Sequence, residues 1–370
     1  MTLNKKKRLL VFHPIIAPYR IDLFNNLYKE FDTKICMFQR NLLNQHFDYK
    51  QISRQFIFNP IYLEKFYKFP FFKIRKGIIK TINQFSPDIV LVSEYKLETI
   101  TISLYKFLFR KKFKIVSIVD DSYDMIVHNN HFSKKHKYAE KFVLPLIDNI
   151  INIEPRVVTY FQEKYHKGIY FPIVQDEKRL RNKYKEALPI SEQYIEKYNL
   201  KNQKVLLFVG RLNKVKNLNT LIQIFNQLNP PNCKLVIVGS GELEEELKFR
   251  SNDNVLFTGR LEGNALYAWY NIAEIFILPS IREAFGAVTN EALIGGCFTL
   301  VSELAGSNCL IKNGMNGYTF NPYDENEFST KLATAISETP IRRYPLSLKA
   351  SKNIYPFDFY IKEVIKSLNN

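Results

Sequence analysis

Residues 205–218 read Val-Leu-Leu-Phe-Val-Gly-Arg-Leu-Asn-Lys-Val-Lys-Asn-Leu. Five apolar residues make a strand buried on both faces, Gly210 turns the chain tightly, and Asn217 is placed to cap the helix that follows. That helix carries Leu218, Leu221, Ile222, Phe225 and Leu228 at helical spacing. The same rhythm continues downstream. Strands are expected over 234–238, 254–258, 274–278 and 298–302, with helices over 242–250, 264–272 and 285–294 between them. Alternation of this kind predicts an α/β fold with a parallel sheet covered on both faces. Ligands of such sheets bind beyond the carboxyl ends of the strands, so the loops after the strands are where chemistry belongs.

Two of those loops carry suitable residues. In the first, Arg211 and Lys216 follow Gly210 and are placed to meet a diphosphate through charge-assisted hydrogen bonds. In the loop 279–292, Glu283 precedes a helix start at Phe285-Gly286-Ala287, and Glu291 lies about one turn inside that helix. Backbone N–H groups at a helix start hold anions, and Gly286 lets a ligand approach closely. A carboxylate on either side of an anion-binding turn suits a nucleotide sugar, since carboxylates accept paired hydrogen bonds from vicinal hydroxyls. The plainer alternative is two ordinary acids at a helix start.

The ordered set Gly210-Arg211-Leu212…Lys216-Asn217-Leu218, Val238-Gly239-Ser240-Gly241, Phe257-Thr258-Gly259-Arg260, Glu283-Ala284-Phe285-Gly286…Glu291-Ala292 and Asn313-Gly314-Met315-Asn316-Gly317-Tyr318 resembles the family 4 glycosyltransferases of GT-B fold, of bacterial surface-polysaccharide type. The resemblance is dense over 204–337 and looser before 175. It implies two Rossmann-like domains with parallel sheets facing across a cleft. On that pattern Arg211 and Lys216 hold the donor diphosphate, Glu283 binds the transferred sugar, and Glu291 binds the ribose. Phe285, Gly286 and Ala287 add backbone contacts to phosphate. The Gly239–Gly241 loop and the Arg260-Leu261 turn flank the base. The sequence departs from the pattern at Ala284, where a glycine is frequent, and at Ala305-Gly306-Ser307-Asn308, where paired glycines are commoner.

The N-terminal half opens with an apolar strand at 8–12, then His13-Pro14-Ile15-Ile16-Ala17-Pro18-Tyr19-Arg20 and an amphipathic helix. Tyr19 and Arg20 are expected on the acceptor side, with Arg20 either meeting a phosphate or pointing to solvent. A strand over 86–92 and another over 114–119 lead to Asp120-Asp121-Ser122-Tyr123-Asp124. One reading gives Asp120 or Asp121 a part in positioning or deprotonating an acceptor hydroxyl; another has these acids merely cap a loop. A metal site is not expected, because cationic side chains serve the diphosphate in this fold. His128, His131 and His136 lack partner cysteines and read as surface residues.

Domains are therefore expected at 1–180 for the acceptor and 190–350 for the nucleotide sugar. The polar, helix-prone 170–203 would join them, and 351–370 would form a last helix packing back on the first domain. Formal net charge is +17. Residues 1–200 hold 35 Lys and Arg against 20 Asp and Glu, while 201–370 hold 18 against 16. Nearly all the excess thus sits in the half expected to meet the acceptor. Tyr62–Lys80 and Tyr105–Lys114 interleave aromatics with cations, a pattern that suits an anionic membrane surface or core aromatics with snorkelling lysines. No RNA-binding motif accompanies them, so no nucleic acid is expected as partner.

No uncharged run approaches the roughly 18–20 apolar residues of a membrane span. No secretory leader is read at residues 1–14. Four cysteines without paired spacing fit a reducing compartment. The expected protein is a cytoplasmic, metal-independent and cofactor-free glycosyltransferase, peripheral at the inner face of the cell membrane. It would move a sugar, with retention, from a nucleoside-diphosphate sugar to a saccharide or lipid-linked acceptor in cell-surface polysaccharide biosynthesis. The rival functions are a sugar-nucleotide epimerase of the same architecture and a non-enzymatic basic membrane-binding protein.

Overall fold

The computed structural model describes residues 5–40, 49–69, 73–128, 134–342 and 344–370. Residues 70–72 of the first aromatic run and His131 lie outside these, as do the side chains of His128 and His136. The chain divides into two compact units, 1–172 with 358–370, and 173–357.

In the first unit the strands are β1 (Arg8–His13), β2 (Asp32–Met37), β3 (Ile61–Tyr62), β4 (Phe66–Lys68), β5 (Lys73–Arg75), β6 (Ile89–Ser93), β7 (Lys114–Val119), β8 (Asn149–Asn152) and β9 (Ile169–Tyr170). Seven of them form one parallel sheet in the order β3-β2-β1-β6-β7-β8-β9, while β4 and β5 make a separate antiparallel pair. β1, β6 and β7 are buried almost throughout, as strands covered on both faces must be. Strand–helix–strand connections carry the order outward from β1 on one side and then from β6 on the other.

The second unit repeats this plan with β10 (Lys204–Val209), β11 (Cys233–Val238), β12 (Val255–Gly259), β13 (Ile275–Leu278), β14 (Phe298–Ser302) and β15 (Gly317–Phe320). They form a parallel sheet in the order β12-β11-β10-β13-β14-β15. The core of this unit gathers every residue of 205–209, with Trp269, Tyr270 and Phe276 among its largest fully buried side chains.

Two expectations about the domains are corrected. The boundary falls between Pro172 and Ile173, not between 180 and 190. The supposed joining segment forms the helices Glu177–Glu186 and Leu188–Lys197, which bury Leu180, Tyr184 and Ile195 in the second core, with Leu200 just beyond the second helix joining them. Apolar side chains facing one way outweigh the charges on the other face. The last helix, Phe357–Asn369, buries Tyr360, Ile361, Val364 and Leu368, and Tyr360 meets Tyr170 of the first unit edge-on at 5.5 Å between ring centres.

The amino edge of the second sheet is held by a buried ion pair. Glu274 and Arg342, 3% and 2% exposed, meet at 2.5 Å. Glu274 Oε2 also accepts the Val205 N–H at 2.7 Å, and the Arg342 guanidinium donates to the carbonyls of Ile272, Leu200 and Gln203. Removing one partner strands the other charge in the interior. Glu274→Ala should therefore lower stability by about 3–5 kcal/mol, read as a fall in the urea midpoint; a midpoint like wild type would show that the pair does not hold this edge.

Candidate active site

The strand order of the second sheet reverses between β10 and β13, and the ligand crevice of an open parallel sheet lies at such a point, beyond the carboxyl ends. The loops after these two strands are tied together there. The Ile281 N–H donates to the Val215 carbonyl at 2.9 Å, and Lys216 Nζ forms an ion pair with Glu283. Both side chains are largely enclosed, so the pair is shielded from the screening that weakens surface pairs. The loop after β14 closes a third side: the Gly306 N–H donates to Glu283 O at 3.3 Å, and the Ser307 N–H to Phe285 O at 2.8 Å. A Cβ on Gly306 would stand 2.3 Å from the Ala284 carbonyl oxygen, so glycine is required where these backbones meet. Within that loop the Ser307 hydroxyl shares a 2.9 Å hydrogen bond with the Thr289 hydroxyl.

Gly286 occupies the N-cap of the helix Ala287–Ile294 with φ 90°, and a Cβ there would collide with Leu278 at 2.5 Å. The helix start therefore lies directly against the end of β13, with the side chain of Phe285 buried beneath it. Its first backbone N–H groups, Ala287 among them, have no partner within the helix.

The β10 and β11 loops are zipped in the same manner. Leu212 N–H donates to Ser240 O at 3.0 Å and Leu243 N–H to Leu212 O at 3.1 Å. A Cβ on Gly239 would lie 1.8 Å from the Gly210 carbonyl oxygen, and one on Gly241 would lie 2.3 Å from that of Leu212. Arg211 projects from this zipper into solvent, and its guanidinium has no ion-pair or hydrogen-bond partner among the described residues.

Glu291 faces a different set of partners. Tyr270 Oη donates to its Oε2 and Gln175 Nε2 to its Oε1, each at 2.9 Å, while Tyr184 Oη holds its main-chain carbonyl. Burial pushes the Glu291 carboxyl up, and the Tyr270 and Gln175 hydrogen bonds draw it back. Tyr270 and Gln175 were not foreseen: one is an unmarked aromatic in a helix, the other lies 116 residues away in sequence. Arg260 does not join the cluster; it pairs with Glu262 two residues on, and Leu261 packs against the core. Asn217 stands at the helix N-cap as expected, but in a left-handed conformation, and its side chain donates to Pro322 O instead of capping the helix.

In the first unit the corresponding reversal lies between β1 and β6. Here Arg20 does not point to solvent. It is 1% exposed, and its Nη2 pairs with Asp120 Oδ1 at the end of β7. The Arg20 Nε and Nη1 are buried without hydrogen-bond partners. Its guanidinium also lies 5.8 Å from the ring centre of Tyr19. His13 Nδ1 donates to Ile15 O at 2.6 Å, and burial together with the Arg20 charge lowers its pKa to about 4, so it is neutral at pH 7. Beside Asp120, Asp121 is pushed up to about 7 by burial and then by Glu94, Asp120 and Glu140, against a weaker pull from Lys96. Asp121 is thus poised near neutrality, the range in which a general base works best. Among the described residues no group of three or more His, Cys, Asp or Glu side chains is placed to hold a metal ion.

Residues 190–353 match the family model described as Glycosyl transferases group 1. An uncharacterised glycosyltransferase of Methanocaldococcus jannaschii is 31% identical over 160 residues, 42% of this chain and 41% of its own. The UDP-Gal:alpha-D-GlcNAc-diphosphoundecaprenol alpha-1,3-galactosyltransferase of Escherichia coli is 32% identical over 144 residues, 36% of either chain. The chain thus spans less than half the length of these curated relatives. The crystal structure of Anabaena HepE in complex with UDP superposes with a TM-score of 0.73 at 15% identity, over 98% of this chain and 99% of that one. The fold is GT-B, built of two Rossmann-like units.

Two outcomes follow from this geometry. Gly239 and Gly314 both hold positive φ, but a Cβ on Gly314 meets open space. Gly239→Ala should therefore cost about 1–3 kcal/mol more in urea unfolding than Gly314→Ala; equal costs would contradict the zipper. For Asp121 the folded pKa lies above the ordinary value of 3.8, so its stabilising share is whole below that value and is lost as pH rises towards 7. Asp121→Asn should accordingly gain about 1–3 kcal/mol on wild type between pH 4 and pH 8, measured by urea unfolding across that range. A constant difference would refute the shift.

Proposed function

We propose that this chain is a glycosyltransferase of family 4 that moves a hexose from a nucleoside-diphosphate sugar to a saccharide or lipid-linked acceptor, with retention, in the assembly of cell-surface polysaccharide. The observation that carries the reading is the Lys216–Glu283 pair at the strand-order reversal of the second sheet, beside the helix start at Gly286. The family match over that unit and the UDP held by a structural neighbour of the same fold support it.

In this reading the ion pair is the resting arrangement of two ligands. On donor binding, Lys216 exchanges the Glu283 carboxylate for a diphosphate oxygen, and Glu283 turns its lone pairs to the hydroxyls of the sugar. Arg211, without a protein partner, completes the cationic side. The N–H groups at Gly286 and Ala287 and the helix dipole face the same anion. As the glycosidic bond breaks, negative charge grows on the departing diphosphate. These fixed donors then stabilise it with little reorganisation, the step at which such preorganisation counts most. No metal is needed to neutralise that charge. Glu291, anchored by Tyr270 and Gln175, retains lone pairs for the ribose hydroxyls. Gly239, Gly241, Arg260 and Leu261 are assigned to the base side.

On the acceptor side, Asp120 and Asp121 are the candidate bases. The buried Arg20 pairs with Asp120 and holds it in place, and Asp121 is pushed up to about 7. An acceptor anchored in lipid would place the enzyme at the inner face of the cell membrane.

Lys216→Ala and Glu283→Ala should each lower kcat by about a hundredfold or more, followed by mass spectrometry of the glycosylated acceptor, with UDP-induced thermal shifts confirming a folded protein. Near-normal transfer by both variants would sink the assignment. Transfer should persist in EDTA, and proton NMR of the product should show the anomeric configuration of the donor. A new sugar nucleotide formed from donor alone would identify an epimerase instead.

A further inference from the structure

The amino edge of the first unit's sheet, opposite the end that carries Arg20 and Asp120, has a surface unlike the rest of the chain. A recess of about 600 Å³ opens there, lined by Lys5–Arg8 at the start of β1, by the turn before β6, and by Lys111, Lys112 and Lys114 at the start of β7. The one carboxylate in its lining, Asp88, accepts the Arg8 backbone N–H at 2.7 Å. Arg8 has an acidic neighbour in Asp32, but none of the six lysines forms an ion pair with an acid among the described residues.

Apolar side chains rise beside these cations. The helix Leu97–Leu108 runs from the end of β6 back to this edge, and two residues beyond it Arg110 turns left-handed at φ 48°. That turn leaves Phe107, Leu108 and Phe109 outside the core, 68%, 69% and 65% exposed, and Leu104 joins them on the same helix face. The helix Lys134–Val143 packs against this one and ends at the same edge, ahead of β8. It exposes Tyr138 (74%) and Phe142 (49%), one turn apart, with Lys137 and Lys141 also in solvent. Single exposed apolar residues are ordinary, but six gathered at one edge mark an interaction site.

The occupant must satisfy cations and apolar groups together. A second copy would set two basic faces against each other. A nucleic acid would engage the lysines and leave Leu104 and Leu108 in water. An anionic bilayer satisfies both, since aromatic and aliphatic groups enter the interface while each nearby Lys or Arg gains from headgroup charge. We propose that this amino edge is a docking surface for an anionic lipid bilayer, with Phe107, Leu108 and Phe109 entering the interface and the lysines of 5–7 and 111–114 meeting headgroup phosphates. The inference stands on the first unit alone and does not depend on the donor chemistry.

Co-sedimentation of the full chain with phosphatidylcholine vesicles, with and without phosphatidylglycerol, tests it. Binding should require phosphatidylglycerol and weaken with salt. Lys111→Gln with Lys112→Gln should weaken it about 25-fold, at roughly fivefold per cation. Phe107→Ser, Leu108→Ser and Phe109→Ser together should weaken it at least about tenfold, and Phe107→Trp should shift its emission to the blue on vesicles. The thermal midpoint and the UDP-induced shift serve as controls for folding. Loss of the UDP shift in wild type, with vesicle binding intact, would remove the transferase reading and leave this one standing. Failure of wild type to bind phosphatidylglycerol vesicles, undiminished binding by both combined variants, or binding to single-stranded RNA with none to vesicles would overturn it.

Discussion

A lysine and a glutamate that meet where a parallel sheet reverses its strand order give the second unit its chemical character. Lys216 and Glu283 are 67 residues apart in sequence, and nothing local brings them together. They meet because β10 and β13 are hydrogen-bonded neighbours whose following loops leave the sheet at the same end. Glycines then allow those loops to pack at backbone distance: Gly239 and Gly241 against the β10 loop, Gly306 against the β13 loop. A side chain at any of the three would push the loops apart and separate the charges. The constraint is therefore steric before it is electrostatic.

The first unit has the same plan with different consequences. Its β1 loop carries no glycine, and the cation it delivers, Arg20, is buried against Asp120 instead of being open to solvent. A guanidinium in that position gives one aspartate an ion-pair partner, while burial, and then the carboxylates nearby, make its neighbour Asp121 bind its proton more tightly. Two adjacent acids thus stand in different surroundings, one ion-paired and one buried near like charges, and such differences are how paired carboxylates come to serve different roles.

Much of the second unit is legible from its letters. Strands buried on both faces read as continuous apolar runs, so β10, β11, β13 and β14 fall within a residue or so of expectation, and β14 matches at both ends. β15 was not anticipated because Gly317–Phe320 is short and half polar, and β2 begins with Asp32-Thr33-Lys34. The helix Glu177–Glu186 hides its membership of the second core behind seven charged residues, since only Leu180 and Tyr184 face inward. Strand order, the burial of Arg20 and the grip of Tyr270 and Gln175 on Glu291 are tertiary facts. Each joins residues whose local sequence carries no mark of the partner.

The placement of the final helix bears on how the molecule comes into being. Residues 173–357 form one uninterrupted stretch, whereas the other unit draws on both ends of the chain. During synthesis the stretch in the middle can finish folding while the earlier-made strands still lack Tyr360, Val364 and Leu368 to cover them. Parts made first ordinarily fold first, but completion of this unit waits on residues 358–370. Until residue 368 leaves the ribosome, the apolar surface that this helix will seal stays open to water and to chaperones.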